Sequence, residues 1–221
     1  MKIKGAIFDM DGTLVDSLHF WGIFWNTLGK TFLNDQNFLP PEELNKKVRT
    51  MVFSKSAILV NEYYHFFKTN QEFSNYTNDF VISFYKSVKP KNGAIKLLQV
   101  LKNKGIQIYL ASATDKNLLI HAIEACKLTK FFDGIFSCGD IGVGKDKPDI
   151  YYKVSDAMNL QPNEICVFED AHVAIETAKK AGFNTVGVFD KHNFCQERVI
   201  NSSDYYIDEL HDLSDVINII E

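Results

Sequence analysis

Residues 4–17 read KGAIFDMDGTLVDS, and this stretch narrows the folds open to the chain more than any other. Ala6, Ile7 and Phe8 form an apolar run that delivers Asp9 and Asp11 to its carboxyl end, where Gly12 and Thr13 turn the backbone away. Such a run suits a buried strand of a parallel sheet. In open α/β sheets, ligands lie at the carboxyl ends of the strands, so two acids spaced i, i+2 at that point are placed for chemistry. A plain turn would account for Gly12. It would leave both acids at the tip of an apolar strand without a reason.

Beyond Asp16 the pattern changes. Up to about Lys89, aromatic residues crowd in, among them Phe20, Trp21, Phe24, Trp25, Tyr64, Phe67, Phe80 and Tyr85, with apolar positions at three- and four-residue intervals. That period predicts amphipathic helices near residues 17–32, 42–48, 55–68 and 73–87, with no strand among them. At helical spacing the aromatic stripe reads as a packed core rather than a binding surface.

Lys89-Pro90-Lys91-Asn92-Gly93 closes this segment, and strands then alternate with helices. We expect helix 93–104, strand 106–111, helix 116–126, strand 134–137, loop 139–148, helix 149–158, strand 164–168, helix 171–181, strand 184–189 and a short strand at 205–207. Strands separated by helices form parallel βαβ units with right-handed crossovers. The expected fold is therefore α/β, a doubly wound parallel sheet core over residues 1–15 and 90–221 with an all-helical insert over residues 16–89.

A chain of 221 residues buries enough core to need no covalent staples. Its net charge of −4 offers no basic face for nucleic acid or for an acidic lipid surface. Apolar runs fall well short of the ~20 residues that a membrane span requires. The segment Met1-Lys2-Ile3-Lys4 leads straight into the first strand without a cleavable apolar stretch, so a cytoplasmic location is expected, with a monomer as the default state. Cys126, Cys138, Cys166 and Cys195 form no CxxC pair and read as small apolar residues, with Cys138 the one exposed to oxidation.

The strand-end logic applies again further along. Strand 106–111 leads into Ser112-Ala113-Thr114, the loop after strand 134–137 carries Lys145, and strand 164–168 leads into Glu169-Asp170. One hydroxyl, one ammonium and four carboxylates would converge on one edge of the sheet. So many carboxylates cannot all stay ionised unassisted, because like charges raise one another's pKa. With Asp11 protonated, Asp9, Glu169 and Asp170 carry three negative charges against one on Lys145, and a divalent cation balances the rest. All donors are oxygen, which selects Mg²⁺ over Zn²⁺, and Mg²⁺ prefers a few carboxylates together with a substrate phosphate.

Each group then has an expected role. Asp9, a metal ligand, is the nucleophile that accepts a phosphoryl group. Asp11 is the general acid and later the base. The Ser112 hydroxyl holds transferring oxygens, Lys145 neutralises charge shared between Asp9 and the phosphoryl group, and Glu169 and Asp170 position the metal. Taken singly, Ser112 is a turn residue, Asp170 an N-cap for helix 171–181 and Lys145 a surface charge. Only the ordered set defeats those readings. His121 and His172 read as packing or surface residues.

Asp9-Met10-Asp11-Gly12-Thr13, Ser112, Lys145-Asp146-Lys147-Pro148-Asp149 and Glu169-Asp170 resemble the four ordered motifs of the haloacid dehalogenase superfamily. Within it the chain is similar to the β-phosphoglucomutase-like phosphatases, whose helical cap follows the first motif. The resemblance implies a Rossmann-like core, Mg²⁺ as cofactor with the Asp11 main-chain carbonyl among its ligands, an aspartyl-phosphate mechanism, and the roles just given for Asp9, Asp11, Ser112, Lys145, Glu169 and Asp170. The founding dehalogenases lack the second aspartate, so the presence of Asp11 favours phosphoryl chemistry. Phosphoglucomutases place a basic cap residue, typically arginine, against a second phosphate. Here that region reads Val52-Phe53-Ser54-Lys55-Ser56, with Arg49 slightly upstream. The expected activity is hydrolysis of a small phosphomonoester, a sugar or polyol phosphate, with a sugar-phosphate mutase or a non-catalytic binding protein as alternatives. Arg49 and Lys55, with His19, Trp21 and Trp25, are the cap side chains expected to meet substrate.

Overall fold

The computed structural model describes residues 3–49, 51–193, 195–208 and 210. Six strands, β1 (Gly5–Phe8), β2 (Gln107–Ser112), β3 (Gly134–Ser137), β4 (Ile165–Glu169), β5 (Asn184–Val188) and β6 (Tyr205–Ile207), form one sheet in the order β3-β2-β1-β4-β5-β6. Every neighbouring pair is parallel. The chain steps outward from β1 through β2 to β3, then returns to the other side of β1 as β4. That reversal is the point where an open α/β sheet leaves a crevice at its carboxyl edge.

All four residues of β1 and all five of β4 are buried, as strands covered on both faces must be. Their side chains divide by period two between the layers. Ala6 and Phe8 face one apolar layer, where Phe8 stacks on Phe168 with ring centroids 4.3 Å apart, while Ile7 and Val167 face the other.

Among the described residues between β1 and Gly93 every regular element is a helix: α1 (Phe20–Leu28), continued by a π-turn over Gly29–Leu33, then α2 (Glu42–Arg49), α3 (Phe53–Tyr64) and α4 (Asn70–Tyr85). The helix expected over residues 55–68 begins and ends earlier. His65 takes the left-handed conformation at its C-terminus, and the Asn61 side chain engages both the carbonyl and the N–H of Phe67, which holds the following residues as a loop. Helix α4 starts on a capping box, with Thr69 accepting from the Glu72 N–H and Glu72 accepting from the Thr69 N–H. Phe20, Phe24, Trp25 and Phe73 are buried and in mutual ring contact with other aromatics of the insert, so the aromatic stripe is a core.

The sheet is flanked by α5 (Ala94–Asn103), α6 (Lys116–Ala125), α8 (Asp149–Met158), α9 (His172–Lys180) and α10 (Gln196–Ser202). The expected loop 139–148 opens with a further short helix, α7 (Cys138–Ile141), started by the Ser137 side chain accepting from the Gly139 N–H. Helix α10 had no counterpart in the sequence reading. Among the described residues no helix is long and apolar enough to cross a membrane.

The helical insert also meets the sheet domain away from its two connecting segments. Val52 packs in the same layer as Ala111 and Cys138, and Ser54 donates through its N–H and its hydroxyl to the Asp115 carboxylate at 3.0 and 3.3 Å. The connecting segments pair with each other, the Asp16 N–H donating to the Lys89 carbonyl at 3.0 Å and the Lys91 N–H to the Leu14 carbonyl at 2.8 Å.

Candidate active site

Parallel register brings the acids together. Phe8 lies beside Phe168 on one side and Leu110 on the other, so the next residue, Asp9, stands level with Glu169, and Ser112 lies level with Met10. The Asp9 N–H donates to the Phe168 carbonyl at 3.0 Å, carrying the ladder one residue past the strand. Asp9, Glu169 and Asp170 are buried, and one carboxylate oxygen from each lies within 4.8 Å of the others.

Lys145, brought in from the loop after α7, is equally buried. Its ammonium donates to Asp9 Oδ1 and, at 3.1 Å, to Glu169 Oε2. It is no surface charge. Asp170 does not cap helix α9 either: the residue before that helix is Ala171, with no side-chain cap, and Asp170 Oδ1 accepts from the Thr13 hydroxyl at 3.2 Å. Gly12 is required beside it. Its φ is +84°, and a Cβ there would come within 2.6 Å of Asp170 Oδ2.

Three hydroxyls hold the Asp11 carboxylate. Ser17 and Tyr85 donate to Oδ1 at 2.6 and 3.0 Å, and Thr114 donates to Oδ2 at 2.7 Å. Thr114 is itself fixed, its N–H donating to Ser112 Oγ at 3.0 Å and its carbonyl accepting from Ser137 Oγ at 2.7 Å. Ser112 is thus buried at the end of β2, where its hydroxyl shapes the loop that carries Thr114.

The electrostatics follow from this crowding. Burial first, and then Asp9, push the Glu169 carboxyl well above its usual range. The same two causes raise Asp170 to about 8. Asp11 is also raised, by burial and by the Asp9 charge, against the three hydroxyls that favour its ionised form. Burial opposes the charge on Lys145, yet Asp9 and Glu169 hold its ammonium well above the ordinary lysine value. Three clustered carboxylates against one ammonium, with oxygen as the available donor, fit a hard divalent cation at Asp9, Glu169 and Asp170.

Several residues here were not assigned from sequence. Ser17, Tyr85 and Thr114 surround Asp11, and Thr13 holds Asp170. Lys91 ties the loop after β1 to the sheet, donating to the Gly12 carbonyl, to the Phe189 carbonyl at 2.6 Å and to Asp190 at 2.8 Å. Asn193 donates to the Asp170 carbonyl. Thr13 and Thr114 carried a weak signal, being hydroxyl residues within five positions of a strand end, whereas Ser17 lies nine positions past β1. Tyr85 carried none.

Among the expected cap residues, Trp25 is corrected. It is 1% exposed, and its indole N–H donates to Asn45 Oδ1 at 3.0 Å, so it builds the interior of the helical insert. Arg49 donates to the same Asn45 oxygen at 3.2 Å, and its guanidinium lies over the Trp21 ring, 5.9 Å from the centroid. Lys55 is exposed in the first turn of α3. His19 lies against Phe84 and His192. Cys138 is likewise corrected as an oxidation site: it is fully buried, and burial pushes its thiol up to about 11.

A family model described as haloacid dehalogenase-like hydrolase matches residues 3–182. The phosphorylated carbohydrates phosphatase of Thermotoga maritima is 23% identical over 185 residues, covering 83% of this chain and 84% of that one. An (S)-2-haloacid dehalogenase of Burkholderia cepacia is 26% identical over 201 residues, covering 85% and 83%. The crystal structure of β-phosphoglucomutase from Clostridium difficile superposes with a TM-score of 0.77 at 21% identity, over 99% of this chain and 96% of that one. A parallel sheet whose central strand ends in an Asp-x-Asp pair, together with the match over residues 3–182, establishes that the chain belongs to the haloacid dehalogenase-like hydrolases.

Proposed function

We propose that this phosphoric monoester hydrolase is a Mg²⁺-dependent phosphatase acting on a small phosphorylated sugar or polyol through an aspartyl phosphate on Asp9, with residues 16–89 as its cap. The observation that carries the reading is the asymmetry between the two aspartates. Asp9 is paired with the Lys145 ammonium and faces Glu169 and Asp170, whereas the half-buried Asp11 is held by three hydroxyls and, among the described residues, by no cation. A carboxylate paired directly with an ammonium suits a nucleophile, and a carboxyl raised by burial suits an acid.

Asp9, Glu169 and Asp170 would hold Mg²⁺, which when bound supplies neutralisation of the phosphoryl oxygens and of the clustered carboxylates. An Asp9 oxygen attacks phosphorus as the bond to the substrate oxygen breaks, and Asp11 gives its proton to that leaving oxygen. Water then attacks the same phosphorus while Asp11 takes its proton, which frees inorganic phosphate and restores Asp9. Lys145 offsets charge on Asp9 throughout, and Ser112 and the Thr114 loop border the transferring oxygens. Lys55 and Arg49 remain the basic cap groups proposed to face the substrate's far end.

The proposed substrate class is supported by the phosphorylated carbohydrates phosphatase among the relatives. Hydrolysis is favoured over mutase chemistry because Arg49 is engaged by Asn45 and Trp21 inside the cap, a poor arrangement for gripping a second phosphate. A phosphorus-NMR time course on a sugar 1-phosphate with Mg²⁺ tests this, with and without the matching bisphosphate. Inorganic phosphate should be the main product under both conditions. Bisphosphate-dependent conversion to the 6-phosphate with little free phosphate would make the protein a mutase.

A further inference from the structure

A second group of metal-ligating side chains lies outside the carboxylate site. Asp16 and His19 sit on the segment that leads from β1 into α1, and His192 sits on the loop after β5. One carboxylate oxygen and one ring nitrogen from each histidine lie within 4.8 Å of one another, and all three residues are half-buried. The two imidazole rings are 5.9 Å apart between centroids.

The Asp16 carboxylate shows why these groups face each other. Its Oδ2 lies 3.7 Å from the Lys191 ammonium. Its Oδ1 is buried from solvent and makes no hydrogen bond, and among the described residues it is the one carboxylate oxygen so placed. An orphaned buried acceptor calls for an explanation, of which an ion is one. His19 Nδ1 is 3.6 Å from that oxygen, beyond hydrogen-bonding range. Two atoms that ligate one tetrahedral ion at about 2.1 Å each stand roughly 3.4 Å apart, so the separation fits a shared ion better than a direct bond.

We propose that Asp16, His19 and His192 form a site for one divalent transition cation of the zinc class. Two imidazoles and one carboxylate select a borderline ion of this kind over Mg²⁺, which favours oxygen alone. The ion joins the segment entering the helical insert to the loop after β5. That entering segment is already paired with the returning one through the Asp16 N–H and the Lys89 carbonyl, so the ion pins the root of the insert to the sheet domain.

The test is equilibrium dialysis of the chelator-treated full-length protein against Zn²⁺, with millimolar Mg²⁺ present to fill the carboxylate site. Co²⁺ spectra of the same proteins report nitrogen ligation. The wild type should retain one Zn²⁺ per chain at micromolar free metal. His19→Gln and His192→Gln should each weaken binding at least tenfold and remove the visible Co²⁺ bands, with unchanged circular dichroism, whereas Asp170→Asn should keep the ion. No zinc retained by the wild type would overturn the assignment, as would retention by both histidine variants or loss in Asp170→Asn.

Discussion

Replacing Lys145 by Met tests the charge balance of the site most directly. Methionine keeps much of the stem and deletes the ammonium that bridges Asp9 and Glu169, leaving Asp9, Glu169 and Asp170 buried within 4.8 Å of one another. With metal chelated, the folded chain restores the balance by binding about one more proton than the wild type. Loading a proton at pH 7.5 onto a carboxylate whose unfolded value is about 4.3 costs about 4.4 kcal/mol, and at pH 5.5 about 1.6 kcal/mol. The first figure lies within the roughly 3–5 kcal/mol seen when a buried ion pair loses one partner.

The sign follows from the direction of the shift. Burial and Asp9 raise the folded-state carboxyls Glu169 and Asp170, so their protonated forms favour the fold at low pH, and that stability is lost as pH rises toward their folded values. The variant should therefore unfold about 9–18 °C below wild type at pH 7.5 and about 3–6 °C below it at pH 5.5. Thermal and urea unfolding by circular dichroism with chelator read this out. Adding Glu169→Gln should recover part of the loss at pH 7.5, since one carboxylate is gone. A loss equal at both pH values, or below about 1 kcal/mol at pH 7.5, would refute the argument.

Other expectations can be checked alongside it. Asp9→Asn should keep the fold and lose at least about a thousandfold in kcat, with no phosphoenzyme trapped on acid quench, because the uncatalysed hydrolysis is far too slow to compensate. Thr114→Val removes the hydroxyl that donates to Asp11 Oδ2 at 2.7 Å, and should lower kcat about 10–100-fold with KM within a few-fold, as expected for a hydrogen bond to a charged group; a kcat within twofold of wild type would separate Thr114 from the chemistry. Excess Mg²⁺ should raise the wild-type unfolding midpoint by more at pH 8 than at pH 6, because Glu169 and Asp170 release protons when they ligate; a pH-independent shift in differential scanning would argue against these ligands.

What the sequence alone determined about this protein is what local pattern and charge can encode. The apolar run ahead of Asp9, the three- and four-residue apolar spacing of the helical insert, and the alternation of strands with helices after Gly93 each act over a few residues, so their signals survive without the fold. The grouping of Asp9, Lys145, Glu169 and Asp170 was legible for a related reason: in a parallel sheet all strand ends share one edge, so adjacency follows from class of fold. Tertiary structure alone decided what surrounds Asp11, since Ser17, Tyr85 and Thr114 come from three elements and meet only through packing. It also decided that Trp25 faces inward, because helical spacing marks an apolar stripe without saying which aromatic of that stripe borders the crevice. The Asp16, His19 and His192 group has the same origin. Its third member lies more than 170 positions from the others, and only the return of β5 beside β4 brings it to them.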